Sequence, residues 1–139
     1  MQHFLNGLLM WAVSVSQYPE PASMPDLKAL SHRQLVNVVC AGKPCNAVAY
    51  YDHHASIIYY DDNLDIQNSD VARGFIVHEL VHFLQDEAGK MKKTPLPCED
   101  YVALEREAYR AQQAFLMQHQ KMTNEVETAI RLLGGLCDS

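Results

Sequence analysis

The stretch FIVHELVHFLQ, residues 75–85, places two histidines and a glutamate inside a run that is otherwise mostly apolar. His78 and His82 are one helical turn apart, so both imidazoles can reach one metal ion from the same face of a helix. Glu79 lies beside them, where its carboxylate can take a proton from water at the metal. The alternative is a polar network inside a core helix, since buried His and Glu are costly unless they are paired. The spacing favours a metal site.

The helix that carries this motif is predicted to be buried. At about 100° per residue, the face with His78 and His82 also carries Val71, Phe75 and Gln85, and the opposite arc is entirely apolar. Burial makes uncompensated histidines expensive, which strengthens the metal interpretation.

A catalytic zinc ion usually has three protein ligands, so a third ligand is expected. The long helix predicted from about Cys98 to Met122 offers Glu105. With Glu105 set at 0°, mainly apolar and aromatic residues fall within about 60°, whereas Glu107 falls at about 200°, beside two arginines. Helical phase therefore predicts Glu105 as the buried ligand and Glu107 as a solvent-exposed residue. The alternative for Glu105 is a hydrogen-bonded carboxylate in the core.

HELVH followed about twenty residues later by a helix bearing EREA resembles the gluzincin zinc metallopeptidases, the group that includes thermolysin. In that group the third ligand is a downstream Glu, followed three and four residues on by a small residue and by Asp or Asn. Glu105 and Ala108 match this pattern. Tyr109 departs from it, and the Asp or Asn usual there orients a ligand histidine. The resemblance covers about residues 47–116.

The resemblance implies that His78, His82 and Glu105 bind one Zn²⁺ per chain, with one position left for water. Glu79 would then act as general base in hydrolysis of a peptide bond in a peptide or protein substrate.

Two further expectations follow from the resemblance. The developing charge on the substrate carbonyl would be stabilised by the metal, with help from Tyr109, Tyr101 or His119, among which the sequence makes no choice. An edge strand before the motif would bind the substrate as an added strand, and we assign this role to SIIYY, with Ile57, Ile58, Tyr59 and Tyr60.

Two rival hypotheses remain open. A non-catalytic zinc-binding or protein-interaction domain would keep the fold and the metal without hydrolysis, and Tyr109 favours it. Glu79 favours the enzyme, because a purely structural site has no use for that base. A helical domain without metal would require Glu105 to be solvated.

Composition and charge narrow the class of partner. The chain has 139 residues, of which 48% are hydrophobic and 20% charged, as in an ordinary globular protein. A net charge of −6 argues against nucleic acid, whose binding needs clustered Lys and Arg. No apolar run reaches the ~20 residues of a membrane span, so stable membrane insertion is not expected. Nothing in the sequence indicates the oligomeric state.

Four cysteines bear on the compartment. CAGKPC is short enough to close locally, so Cys40–Cys45 and Cys98–Cys137 is the favoured pairing among the three possible. A periplasmic or secreted location is expected if these cysteines are paired, and a cytoplasmic one if they are reduced.

The element pattern predicts an α+β fold, mainly helical. A small antiparallel sheet or hairpin, from strands at residues 47–52 and 56–62, would pack on the HExxH helix and on the long glutamate-bearing helix. One domain is expected over residues 1–139, divided into 1–25 (an N-terminal helix, alternatively a signal remnant, and a Pro-rich linker), 26–122 (the metal-site core) and 123–139 (a C-terminal helix and tail).

Overall fold

The computed structural model describes residues 2–138, and the predicted α+β, mainly helical class is confirmed. Its elements in chain order are α1 (Gln2–Val15), β1 (Asp26–Leu30), α2 (His32–Cys40), β2 (Ala49–Asp52), β3 (Ile57–Asp61), α3 (Asp70–Glu87), α4 (Cys98–Gln118) and α5 (Asn124–Leu133).

The helix starts follow from local capping chemistry. Ser31 accepts a hydrogen bond from the backbone N–H of Gln34, and the Gln34 side chain accepts from the Ser31 N–H. These two bonds form a capping box at the start of α2. Ser69 accepts from the N–H of Ala72 at the start of α3. These bonds satisfy backbone donors that a helix leaves free in its first turn.

The sheet has three strands in the order β1–β3–β2. β2 and β3 form the predicted antiparallel hairpin, whereas β1 pairs with β3 in parallel and was not predicted. β3 is therefore the central strand, with backbone partners on both sides. The prediction that Ile57, Ile58, Tyr59 and Tyr60 form a substrate-binding edge strand is wrong, because β1 already occupies the edge that they would offer. β2 is the edge strand on the other side.

α3 is the centre of the molecule. It packs against α1, α4 and β2, and its apolar residues Ile76, Val77, Leu80 and Val81 are fully buried. Gly74 lets α4 approach closely, since a Cβ there would lie 3.2 Å from Leu116. The close approach of these two helices positions the side chains described below.

Two disulfides are present, Cys40–Cys45 and Cys98–Cys137, as predicted. The first closes the short loop after α2. The second ties the start of α4 to the chain beyond α5. Among residues 2–138, no helix is both long and apolar enough to cross a membrane.

The two disulfides are expected to stabilise the fold unequally. Cys98 and Cys137 are 39 residues apart in the sequence, whereas Cys40 and Cys45 are 5 apart. A disulfide that closes a longer loop removes more entropy from the unfolded chain. We expect C98S/C137S to lower the free energy of unfolding by about 4 kcal/mol and C40S/C45S by about 2 kcal/mol. Denaturant unfolding of both variants beside the wild type, without reductant, measures this. An equal or larger loss from C40S/C45S would contradict it.

Candidate metal centre

α3 brings the two motif histidines together. His78 and His82 lie one turn apart on its buried face, with only 6% and 7% of each residue exposed. Their ring centroids are 5.0 Å apart. Both rings turn Nε2 towards α4, so two nitrogen donors point at the same space.

Glu105 on α4 meets these nitrogens. Its Oε1 lies 3.1 Å from His78 Nε2, and its Oε2 lies 2.7 Å from His82 Nε2. One ligand atom from each of the three residues lies within 4.8 Å of the others. The structure thus brings together the three residues that the sequence predicts as ligands, and the group could hold a metal ion.

Charge in this group is strongly coupled. Burial alone would raise the pKa of Glu105, but hydrogen bonds from His78 and His82 overcome it and hold that pKa well below its usual range. Burial alone would lower the pKa of His82, but its hydrogen bond to Glu105 and the charges of Glu79 and Glu105 raise it to about 9. Glu105 and His82 thus favour each other's charged forms, the carboxylate and the imidazolium.

The donor set suits a metal. Two imidazole nitrogens and a carboxylate oxygen are a common ligand set for zinc and related divalent ions. Each histidine is also held through its other nitrogen: His78 Nδ1 lies 3.0 Å from Gln112 Oε1, and His82 Nδ1 lies 2.8 Å from Gln85 Oε1. Such second contacts orient imidazole ligands at metal sites.

Glu79 lines the same cleft but bonds elsewhere. Its Oε1 accepts a hydrogen bond from the backbone N–H of Tyr51 in β2, at 3.0 Å. Because the Asp61 N–H bonds to the Val48 carbonyl, the hairpin register turns the backbone groups of Tyr51 and Ala49 away from β3. The outer edge of β2 therefore faces the glutamate of the motif.

An open cleft of about 720 Å³ surrounds the site, a size suited to binding a ligand. The predicted ligands and Glu79 form part of its lining. Other walls come from β2, from α4 through Tyr101 and Tyr109, and from residues 93–96. The metal-ligand group is thus accessible from solvent on one side.

Tyr109, Tyr101 and His119, the candidates for stabilising a transition state, differ in their position relative to the cleft. The Tyr109 ring packs edge-on against His78, with centroids 4.5 Å apart, and Tyr101 lies on the same cleft wall. Burial, followed by the charge of Glu105, raises the pKa of both phenols. His119 is not part of the cleft lining and bonds through Nδ1 to the Phe115 carbonyl. Only the two tyrosines are placed to reach a ligand in the cleft.

The prediction that Glu107 faces solvent is wrong. This side chain is partly buried and accepts hydrogen bonds from Gln85 Nε2 and from the Tyr18 hydroxyl. Tyr18, in the segment after α1, covers the side of α4 that helical phase alone assigns to solvent. A carboxylate there is tolerated because two donors satisfy it.

Gln85 and Gln112 are site residues that the HExxH motif does not include. Both are buried, at 0% and 4% exposure, and each accepts a hydrogen bond from a histidine of the motif. Their signal was present in the sequence, since Gln85 falls on the histidine face of α3 and Gln112 within about 60° of Glu105 on α4. A glutamine on the same helical face as the motif histidines, or as Glu105, was the signal that could have identified both residues.

Comparisons with protein-family models, with curated proteins and with solved structures find no match for this chain. A function therefore has to be inferred from its own residues.

Proposed function

We propose that this chain is a small zinc-dependent peptidase that resembles the gluzincins and hydrolyses peptide bonds in an extended substrate. One observation carries the proposal. His78, His82 and Glu105 converge at the base of an open cleft, and Glu79 lies in the same cleft, one residue from the first ligand.

The donors support zinc as the metal. His78 and His82 would supply two nitrogens and Glu105 one carboxylate oxygen, and catalytic zinc sites use this set with a fourth position open. A bound zinc ion would polarise the scissile carbonyl and make water more acidic.

Glu79 would serve as the general base. Its carboxylate would take a proton from the attacking water and pass it to the leaving amine. The hydrogen bond from the Tyr51 N–H holds one carboxylate oxygen and leaves the other free for proton transfer. This bond fixes the base without the help of the metal.

β2 would hold the substrate. Ala49 and Tyr51 turn backbone groups outwards beside the cleft, so an extended peptide could add to this edge as an antiparallel or parallel strand. This takes over the role that the sequence assigned to the strand at residues 57–60. Tyr109 or Tyr101 would donate a hydrogen bond to the carbonyl oxygen as its charge develops.

The two disulfides support a periplasmic or extracellular location, because such bonds persist in oxidising compartments. A cytoplasmic chain would be expected to keep the four thiols reduced.

The rival is a zinc-binding or interaction domain without catalysis. Tyr109 supports it, because this residue stands where gluzincins carry an Asp or Asn that orients a ligand histidine. Gln112 weakens that support, since it contacts His78 Nδ1 and could perform the same orientation.

Metal content and cleavage, measured on one preparation, test the proposal. We expect about one zinc per chain and cleavage of a quenched-fluorescent peptide library, because the ligand group and the base share one cleft. A chelator should abolish cleavage, and added Zn²⁺ should restore it where Mg²⁺, which prefers oxygen ligands, does not. Zinc without cleavage of any peptide would favour the rival, and absence of bound metal would contradict both.

A further inference from the structure

Gln85 is the most completely buried polar side chain around the site, with 0% exposure. It lies three residues after His82 on α3, and its Oε1 is 2.8 Å from His82 Nδ1. Its Nε2 donates two hydrogen bonds, to the Leu104 carbonyl at 2.9 Å and to Glu107 Oε1 at 2.8 Å. Every polar atom of this amide therefore has a partner.

These partners fix which way the amide faces. A backbone carbonyl can only accept hydrogen bonds, so Leu104 requires the NH₂ group of Gln85 on its side. The amide oxygen must then face His82, and because that oxygen is also only an acceptor, His82 Nδ1 must carry a proton. Nε2 lies 2.7 Å from Glu105 Oε2 and donates a hydrogen bond to it in the metal-free protein. Because Gln85 keeps the proton on Nδ1, Nε2 is the nitrogen whose lone pair becomes available when a metal replaces this hydrogen bond.

We propose that Gln85 is a positioning residue that holds His82 in the Nδ1–H tautomer, so that Nε2 is the nitrogen offered to zinc. The inference depends on the proposed zinc site and names the residue that orients one of its histidines. Gln85 touches neither the metal position nor the cleft and acts through His82 alone.

Glu107 and Tyr18 extend this support to the other side of α4. Glu107 accepts from Gln85 and from the hydroxyl of Tyr18, which is largely buried. The orientation of His82 is thereby tied to the segment that follows α1. Gln112 makes a similar contact with His78, but among the described residues no carbonyl holds its amide nitrogen, so its orientation is less strictly fixed.

Zinc affinity of a Gln85→Met variant is the first test. Methionine keeps the volume but removes the acceptor, and loss of such an outer contact typically weakens metal binding by about 10–100-fold. Gln113→Met on α4 is the matched control, since the Nδ1 atoms of the two histidines bond to Gln112 and Gln85 and not to Gln113. Its zinc affinity should stay within about twofold of the wild type. Competition with a chromophoric chelator gives the affinities, and circular dichroism checks folding. An unchanged affinity in folded Gln85→Met would overturn the proposal.

A charge-conserving exchange separates positioning from packing. In the double variant Q85E/E107Q, the new carboxylate at position 85 can accept from His82 Nδ1–H and from the new amide at position 107. The Leu104 carbonyl loses its donor in this double variant. If Gln85 had a purely structural role, zinc affinity should therefore stay as low as in Gln85→Met. Positioning predicts affinity restored to within about threefold of the wild type. Failure of this rescue in a folded double variant would count against the proposal.

The tautomer can also be read directly in the zinc-loaded wild type by ¹H–¹⁵N NMR of the imidazole rings, which needs no variant to fold. We expect a proton on His82 Nδ1 and zinc ligation through Nε2. Ligation through Nδ1 would overturn the role of Gln85 and leave the zinc site standing. A wild type that binds no zinc would overturn both proposals.

Discussion

Replacing Glu105 with alanine is expected to remove the bound metal. In the proposed site the carboxylate would supply one of three protein ligands, and without it only His78 and His82 would remain. The loss of affinity should exceed the 10–100-fold typical of an outer contact such as that of Gln85. Metal analysis after purification, followed by titration of the metal-free protein with Zn²⁺, measures the effect.

The choice of control matters, because Glu107 is not a neutral position. It bonds to Gln85, which in turn holds His82, so Glu107→Ala should also weaken zinc binding, although less than Glu105→Ala. Glu99 is the better control, since it is exposed in the first turn of α4. Glu99→Ala should keep the wild-type zinc content. Equal zinc content in all three variants would reject Glu105 as a ligand.

The contrast between these glutamates shows what helical phase can predict. Glu105 was selected because the residues on its side of the helix are apolar, and that periodicity is a local property of the sequence. Its neighbour two residues on was assigned to solvent by the same projection. The projection assumes a single buried face, whereas Tyr18, 89 residues earlier in the chain, covers a second side of α4. Contacts of such sequence separation leave no periodic signal in the helix itself.

The strand order of the sheet could not be predicted from the sequence, also because it depends on contacts between distant residues. The hairpin could be predicted because its strands adjoin a turn and are rich in β-branched and aromatic residues. The residues 26–30 are mostly exposed or half-buried and lie beside a Pro-rich stretch, so they carry little strand signal. Their parallel pairing with residues 57–61 places β3 in the centre of the sheet, and it moves the open edge to residues 49–52. The long helix begins at Cys98, as predicted, but ends at Gln118, short of the predicted Met122.

The position of β2 at the sheet edge bears directly on the proposed peptidase activity. With residues 57–60 on the edge, the substrate strand would have lain on a different side of the sheet. With β2 on the edge, the outward backbone of Tyr51 meets the carboxylate of Glu79. The base and the surface proposed to bind substrate are thereby adjacent, which general base catalysis requires.

Glu79→Gln is expected to keep the metal and to lose hydrolysis. The amide oxygen of the new side chain can still accept from the Tyr51 N–H, so the fold and the position of β2 should be unaffected. An amide cannot take a proton from water, and loss of a general base typically lowers the rate by about 10²–10⁴-fold. Zinc content and kcat on a substrate cleaved by the wild type measure the two effects separately.

Glu87→Gln is the matched control, since Glu87 is exposed at the end of the same helix and should change neither zinc content nor kcat. Wild-type activity in Glu79→Gln would remove this residue from the mechanism, whatever metal the site holds. Loss of zinc together with activity would instead make Glu79 a ligand or a structural support. Retained zinc with lost cleavage is the one outcome that separates an enzyme from a binding domain. A domain that only binds zinc has no catalytic role for the Glu79 carboxylate.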